Sequence, residues 1–248
     1  MKISFKMFCF ALLALLVTSC SETRLLQKGL APFREPLGYE FTSPIEKALK
    51  RDTVAVLFHG FPLESATTVK RVRALFLPFI VFYYSDFRYR VKLGASSMSQ
   101  DYNDFFFNAL LDESDRSGTY ALRFDSIRPD SAYTLEVTLD SCETTGVYKK
   151  NSCSVYVFDE FSTTSGESLY PTKCRLSCMA VLRKGERILS VKKIAAGKEL
   201  GFPADTFNSS EEMYLMLTRQ LVETLCQCTR DCVASIVAET SRQLENQQ

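Results

Sequence analysis

The chain has 248 residues, with 30 basic against 29 acidic side chains, 19 phenylalanines, 11 tyrosines and no tryptophan. Balanced charge without a block of one sign excludes a nucleic-acid groove fed by a basic field. So much aromatic surface excludes a disordered chain, because it has to be buried or bound to something.

Lys2 and Lys6 precede an apolar run from Met7 to Val17, followed by Thr18, Ser19 and Cys20. A membrane-crossing helix needs about 20 apolar residues. This run is shorter and has the order of a secretory signal: charge, apolar stretch, small residues. Val17-Thr18-Ser19-Cys20 resembles the lipobox of bacterial lipoproteins. The resemblance implies that residues 1–19 are a signal peptide cut before Cys20. It further implies a diacylglyceryl thioether on Cys20 and attachment to membrane through acyl chains, each buried methylene contributing about 0.8 kcal/mol. Ser21 stands where inner-membrane retention signals place Asp, so the same resemblance implies the outer membrane sooner than the inner.

Residues 20–50 read as a lipidated tether, because Gly29, Pro32, Pro36, Gly38 and Pro44 interrupt any long helix. Residues 51–248 read as a single domain. Thr53 to Phe58 is a β-branched, apolar run that predicts a buried strand ending at His59-Gly60-Phe61-Pro62. Leu75 to Tyr84 is apolar and aromatic, with Lys70, Arg71 and Arg73 before it and Arg88 and Arg90 after it. Two readings stand: a Pro-interrupted core strand or hairpin, or an exposed apolar loop that meets lipid or a partner. On the second reading Phe79, Phe82 and Tyr83 are the interface residues.

Ser97 with Gln100 has capping-box spacing. Tyr102, Phe105, Phe106, Ala109 and Leu110 then share one face of a helix that Gly118 should close. Tyr133 to Asp140 alternates apolar with polar, a half-buried strand; Ser154 to Phe158 is a second and Cys174 to Leu182 a third. Lys184-Gly185 fits a two-residue turn into Arg187 to Val191, in a register that puts Leu189 and Val191 on the face of Leu182 and Ala180. Ser209 with Glu212 caps a long final helix whose stripe runs Tyr214, Leu217, Leu221, Leu225, Cys228, Cys232, Ile236, and Ser241 to Gln248 should fray. These elements predict an α+β fold, an antiparallel sheet with one mid-chain helix and one long C-terminal helix packed on it.

The single histidine, His59, is the only candidate base for a serine triad. Gly166-Glu167-Ser168-Leu169-Tyr170 lacks the closing glycine of a nucleophile elbow, and histidine-rich zinc sites are excluded by count. Beyond Cys9 and Cys20, seven cysteines remain. Export makes disulfides the default, and an odd number leaves one thiol over. Cys142 and Cys153 flank a plausible hairpin and are the candidate pair. Cys174 and Cys178 lie about 13 Å apart along a strand, too far to bridge. Cys228 and Cys232 share the apolar helix stripe while Cys226 points away, which reads as core packing and not as a metal site. No phosphate loop occurs, so neither metal nor cofactor is expected. An acid/base carboxylate pair could still be assembled in three dimensions.

The order strand, variable segment, helix, antiparallel strands and long helix, behind a lipobox, resembles the small α+β auxiliary lipoproteins of envelope transport. That class holds the ABC-transport auxiliary and lipopolysaccharide-assembly lipoproteins. The residues that carry the resemblance are Thr53-Val54-Ala55-Val56-Leu57, Phe105 to Leu111 running on to Tyr120, Tyr133-Thr134-Leu135-Glu136-Val137, and the Lys184-Gly185 hairpin before the terminal helix. Lipid anchoring, the lack of a catalytic set and surplus aromatics near basic residues point to a non-enzymatic accessory or binding subunit of such a system, with the membrane, a protein partner or an apolar ligand as its contacts; the balanced charge speaks against nucleic acid. A periplasmic or surface hydrolase and a purely structural envelope protein are the alternatives.

Overall fold

The computed structural model describes residues 26–44, 52–64, 66–77, 82–124, 133–157, 160–202 and 209–247. Its frame is the hairpin of β5 (Tyr133–Val157) and β6 (Glu160–Lys184), 25 residues each, which at about 3.3 Å per residue makes strands some 80 Å long. β6 is joined through a turn at Gly185 to β7 (Arg187–Leu200). β5 has two partners on its other edge. Its first half runs parallel to β1 (Asp52–His59), which pairs in parallel with β4 (Tyr120–Phe124). Its second half runs antiparallel to β3 (Phe82–Lys92), which pairs with β2 (Ala66–Leu77). The expected α+β class with a mid-chain helix and a long C-terminal helix is the one observed, in a sheet that is antiparallel except at β1 and β4.

Such long strands need relief of their twist, and the register supplies it. Pairing of β5 with β6 jumps between Leu139 and Ser141 and again between Thr145 and Val147. The second jump brings Gly146 to Pro171, which has no N–H to give a ladder and is at home in an irregularity. A third shift lies between β6 and β7, where Leu182 meets Ser190 and Arg183 meets Ile188. That bulge at Leu189 overturns the expected register: Val191 opposes Val181 and is 58 % exposed. One extra residue moves the side chains beyond it to the other face. The turn is likewise Gly185-Glu186, with Lys184 opposite Arg187 and Gly185 at φ 57°.

Two helices cover one face. α1 (Tyr102–Ser117) is capped by Asp101, whose carboxylate accepts from the Asn103 and Asp104 amides at 2.8 and 3.3 Å, and it ends on Gly118 at φ 72°. The expected cap at Ser97 is not made. Ser97 ends a short 3-10 turn, and Gln100 donates instead to the Leu37 carbonyl. α2 (Ser210–Glu245) starts as expected on Ser209, whose hydroxyl accepts from the Glu212 amide at 3.1 Å. It does not fray at Ser241: Leu244 is 2 % exposed and holds the helix down.

The core lies between these layers. Leu217, Leu221, Leu225, Cys228, Cys232 and Ile236 of α2 are buried with Leu135, Val137, Leu176, Cys178 and Leu182 of the sheet. Burying each Leu or Ile contributes about 1.5–3 kcal/mol. α1 packs beside α2 on the same face. Phe106 stacks on Phe58 at 5.7 Å, and the Tyr102 hydroxyl meets Thr229 Oγ1 at 3.0 Å.

Where α2 crosses the sheet, Gly146 leaves room that no side chain could share: a Cβ there would come within 2.8 Å of Leu217 Cδ1. Gly146→Val should therefore cost about 1–3 kcal/mol through overpacking, read as a fall in urea midpoint with an unchanged slope. An unchanged midpoint would show that α2 does not seat on this strand.

Candidate functional site

Residues 26–44, which the sequence places in a tether of 20–50, form a strap laid along the helices, a short helix at 26–30 followed by non-helical chain. Leu26 and Leu37 join the core. Glu35 brackets the segment Ser97–Ser99 through two backbone hydrogen bonds. The strap ends on Glu113 of α1, a buried carboxylate that accepts from the Thr42 amide at 3.2 Å, the Ser43 amide at 2.7 Å and the Thr42 hydroxyl. Arg116 sits 4.0 Å over the Phe41 ring beside it.

Between strap and α2 lies a cleft of about 390 Å3, lined among others by Glu35, Tyr39, Glu40, Arg219, Cys226 and Arg230. Four of its charges pair across the seam, Glu40 with Arg230 at 3.0 Å and Glu35 with Arg219 at 3.9 Å, while Glu223 accepts from the Gln227 side-chain amide at 3.2 Å. Burial, ahead of any charge, pushes the Cys226 thiol up, so it stays protonated and is a poor nucleophile. Burial does the same to the Tyr39 phenol, with Glu113 adding to it. The cleft is the joint that holds the strap.

His59 stands at the end of β1, its side chain 57 % exposed, with Nε2 3.7 Å from Glu136, whose other oxygen lies 3.8 Å from Arg183. That is a surface charge cluster. Ser168 pairs with Lys149 within the β5–β6 ladder, on extended backbone and not on a strand-to-helix elbow. Among the described residues no three His, Cys, Asp or Glu side chains converge where they could hold a metal ion, and no helix is long and apolar enough to cross a membrane.

The structure separates the expected disulfide partners. Cys142 and Cys153 lie on the same strand, β5, eleven residues apart, or about 36 Å, where a disulfide spans about 4.4–6.8 Å between Cα atoms. The sequence signal misled because the excursion between them is straight strand. Cys20 and Phe79 lie outside the described residues.

The described ends of the apolar stretch fall in strands, Leu75 to Leu77 in β2 and Phe82 to Tyr84 in β3, and residues 78–81 lie outside the described residues. Phe82 is opposite Leu77 and Val155, and Tyr83 is opposite Phe76 and Ser154. This is the far end of a four-stranded arm, β2-β3-β5-β6, that outruns the helices. The first turns of α2 cross the sheet at Gly146, and β5 continues eleven residues beyond it to Val157. Along that stretch Asn151 to Val155 are only half-buried and Thr164 to Gly166 of β6 are exposed. Phe87, Tyr89 and Val91 of β3 are buried, with Tyr89 stacked on Tyr148 at 5.1 Å. Arg88 and Arg90 alternate with them and are exposed.

Register sets Lys70, Arg88 and Lys149 in one cross-strand row. Like charges directly opposite destabilise a sheet, and among the described residues Asp86, 3.3 Å from Lys149, and the Tyr170 ring, 5.6 Å from Arg88, offset part of it. Neither the row nor its cost was visible in the sequence, because Lys149 lies some 60 residues from Arg88 and joins it only through the ladder.

No family model matches the chain, and no curated protein matches it. Among solved structures it is similar to the crystal structure of a Xanthomonas campestris protein described by the DUF330 family model, with 12 % identity and a TM-score of 0.42 over 86 % of this chain and 98 % of that one. At that score the likeness is one of outline.

Glu113 is the point at which the strap can be tested. Burial alone would raise its pKa, but the hydrogen bonds from Thr42 and Ser43 outweigh burial and hold it below the ordinary value. Its contribution is therefore complete above the ordinary carboxylate range and is lost as pH falls through the lowered folded value. Glu113→Gln should cost about 1–3 kcal/mol and speed proteolytic cutting within residues 26–44. Equal cutting rates in both proteins would contradict the clamp.

Proposed function

We propose that this protein is a lipid-anchored envelope lipoprotein, held through Cys20 and facing the outer membrane sooner than the inner. It acts as a non-enzymatic accessory subunit of an envelope transport or assembly system and binds an acidic protein surface through its sheet arm. The observation that carries this reading is the cationic row on an arm that extends past the helices. A row that weakens its own sheet suits a face that meets opposite charge, and aromatic residues beside basic ones suit a protein contact.

The strap supports the same reading. Gly29 abuts the Tyr214 ring near the start of α2, and α2 begins at the end of the core from which the arm projects. From Cys20 to Leu26 the chain can span at most about 20 Å. An anchor on Cys20 would thus hold the arm close to the membrane on a short leash. The hydrolase alternative needs an acid/base pair in a cleft; in the strap cleft Glu35 and Glu40 are each paired with an arginine, and Glu223 accepts from the Gln227 side-chain amide.

Crosslinking in intact cells followed by purification tests this. Cys20→Ser should move the protein from the membrane to the soluble fraction. Phe82→Ala with Tyr83→Ala, and separately Arg88→Glu with Arg90→Glu, should leave the melting temperature near that of the parent and abolish a discrete protein crosslink. If the aromatic variants unfold instead, the segment is core, and if the charge-reversed protein still crosslinks, the arm is not the contact.

A further inference from the structure

Five of the seven cysteines beyond Cys20 converge, buried, in the seam between the sheet and α2: Cys142 on β5, Cys174 and Cys178 on β6, Cys228 and Cys232 on α2. Within this cluster one pair stands apart. Cys178 and Cys232 are both fully buried, with their sulfur atoms 3.5 Å apart. Cys174, four residues earlier on the strand, is shared: it lies beside both Cys142 and Cys228 and accepts from the Thr144 hydroxyl at 3.1 Å. Cys142 and Cys228 thus compete for Cys174, and only one of them can bond it. Cys178 has Cys232 as its close sulfur neighbour.

We propose that Cys178 and Cys232 are a disulfide site that joins β6 to α2 when the chain folds in an oxidising compartment. The inference rests on the reading of the protein as exported, since a reducing compartment keeps such thiols reduced. The bond forms by loss of two electrons and two protons from the thiols. Both pass to a disulfide oxidant, a dithiol oxidoreductase or glutathione disulfide, which leaves as two thiols.

The order of events follows from burial. Exchange requires a thiolate that an oxidant can reach. In the folded protein the neighbouring Cys178 and burial together hold the Cys232 thiol protonated, and neither sulfur is exposed. Oxidation therefore belongs to folding, before α2 seals against β6. The bond closes a loop of 54 residues, so it ties α2 to the second half of β6.

The test uses the full chain, alkylated at once in denaturant without reductant and mapped by mass spectrometry. Protein taken from envelopes should yield one linked peptide joining Cys178 to Cys232. Protein refolded from denaturant in a glutathione redox pair should yield the same link, whatever compartment it came from. Reduced native protein should resist the same mixture. A link after refolding but not in the envelope material would overturn the export reading and support the pairing. No link after refolding, or a link from Cys178 or Cys232 to any other cysteine, would overturn the pairing. Cys178→Ala with Cys232→Ala should abolish the fall in melting temperature that reductant causes in oxidised parent protein, and Cys153→Ala should retain it. If the double variant keeps that fall, the bond lies elsewhere.

Discussion

The stripe Leu217, Leu221, Leu225, Cys228, Cys232 and Ile236 of α2 lies against the inward residues of β5 and β6, and this contact decides where the rest of the chain can go. A 36-residue helix is about 54 Å long, while the strands beneath it run to about 80 Å. The helix cannot cover the sheet. Half of the hairpin becomes core, and the other half becomes an arm with two strands of its own, β2 and β3, paired to its edge.

The seam also explains why small residues stand where they do. Gly146 admits Leu217 and Leu221 at the crossing, and the cysteines pack as compact apolar groups where helix and strand come closest. Buried threonines hand their hydroxyls to partners within the seam. Thr224 donates to the Gln220 carbonyl at 2.6 Å and meets Thr172 across the layer. On the far side of α2 the strap is tied by Glu113 to α1 and by Arg230 to Glu40. Each attachment is modest, and together they place Leu26, the first described residue, at the arm end of the core.

The helices and the inward strand faces were legible because period and composition agree. Tyr133 to Leu139 alternates as a half-buried strand should, and the stripe from Leu217 to Ile236 repeats at three and four. Register was not legible. A bulge at Leu189 and the jumps at Ser141 and Gly146 add single residues that no pattern announces. Partner choice along β5 was hidden for the same reason, since β1 and β3 take successive halves of one edge. The strap looked like tether because its prolines forbid a long helix, yet a short helix at 26–30 and the non-helical chain after it pack through Leu26, Leu37 and Tyr39. Of the candidate site residues, the aromatic stretch was visible as a composition; its place at the end of an arm, beside a row of cations, was not.

The central claim is that the arm, and not the opposite end of the sheet, is the contact surface. A photo-crosslinking residue at Thr164 of β6, exposed on the arm, can be compared in intact cells with one at Glu186, in the turn at the other end. The account predicts a discrete protein adduct from position 164 and none from position 186. Adducts from 186 with none from 164 would contradict it.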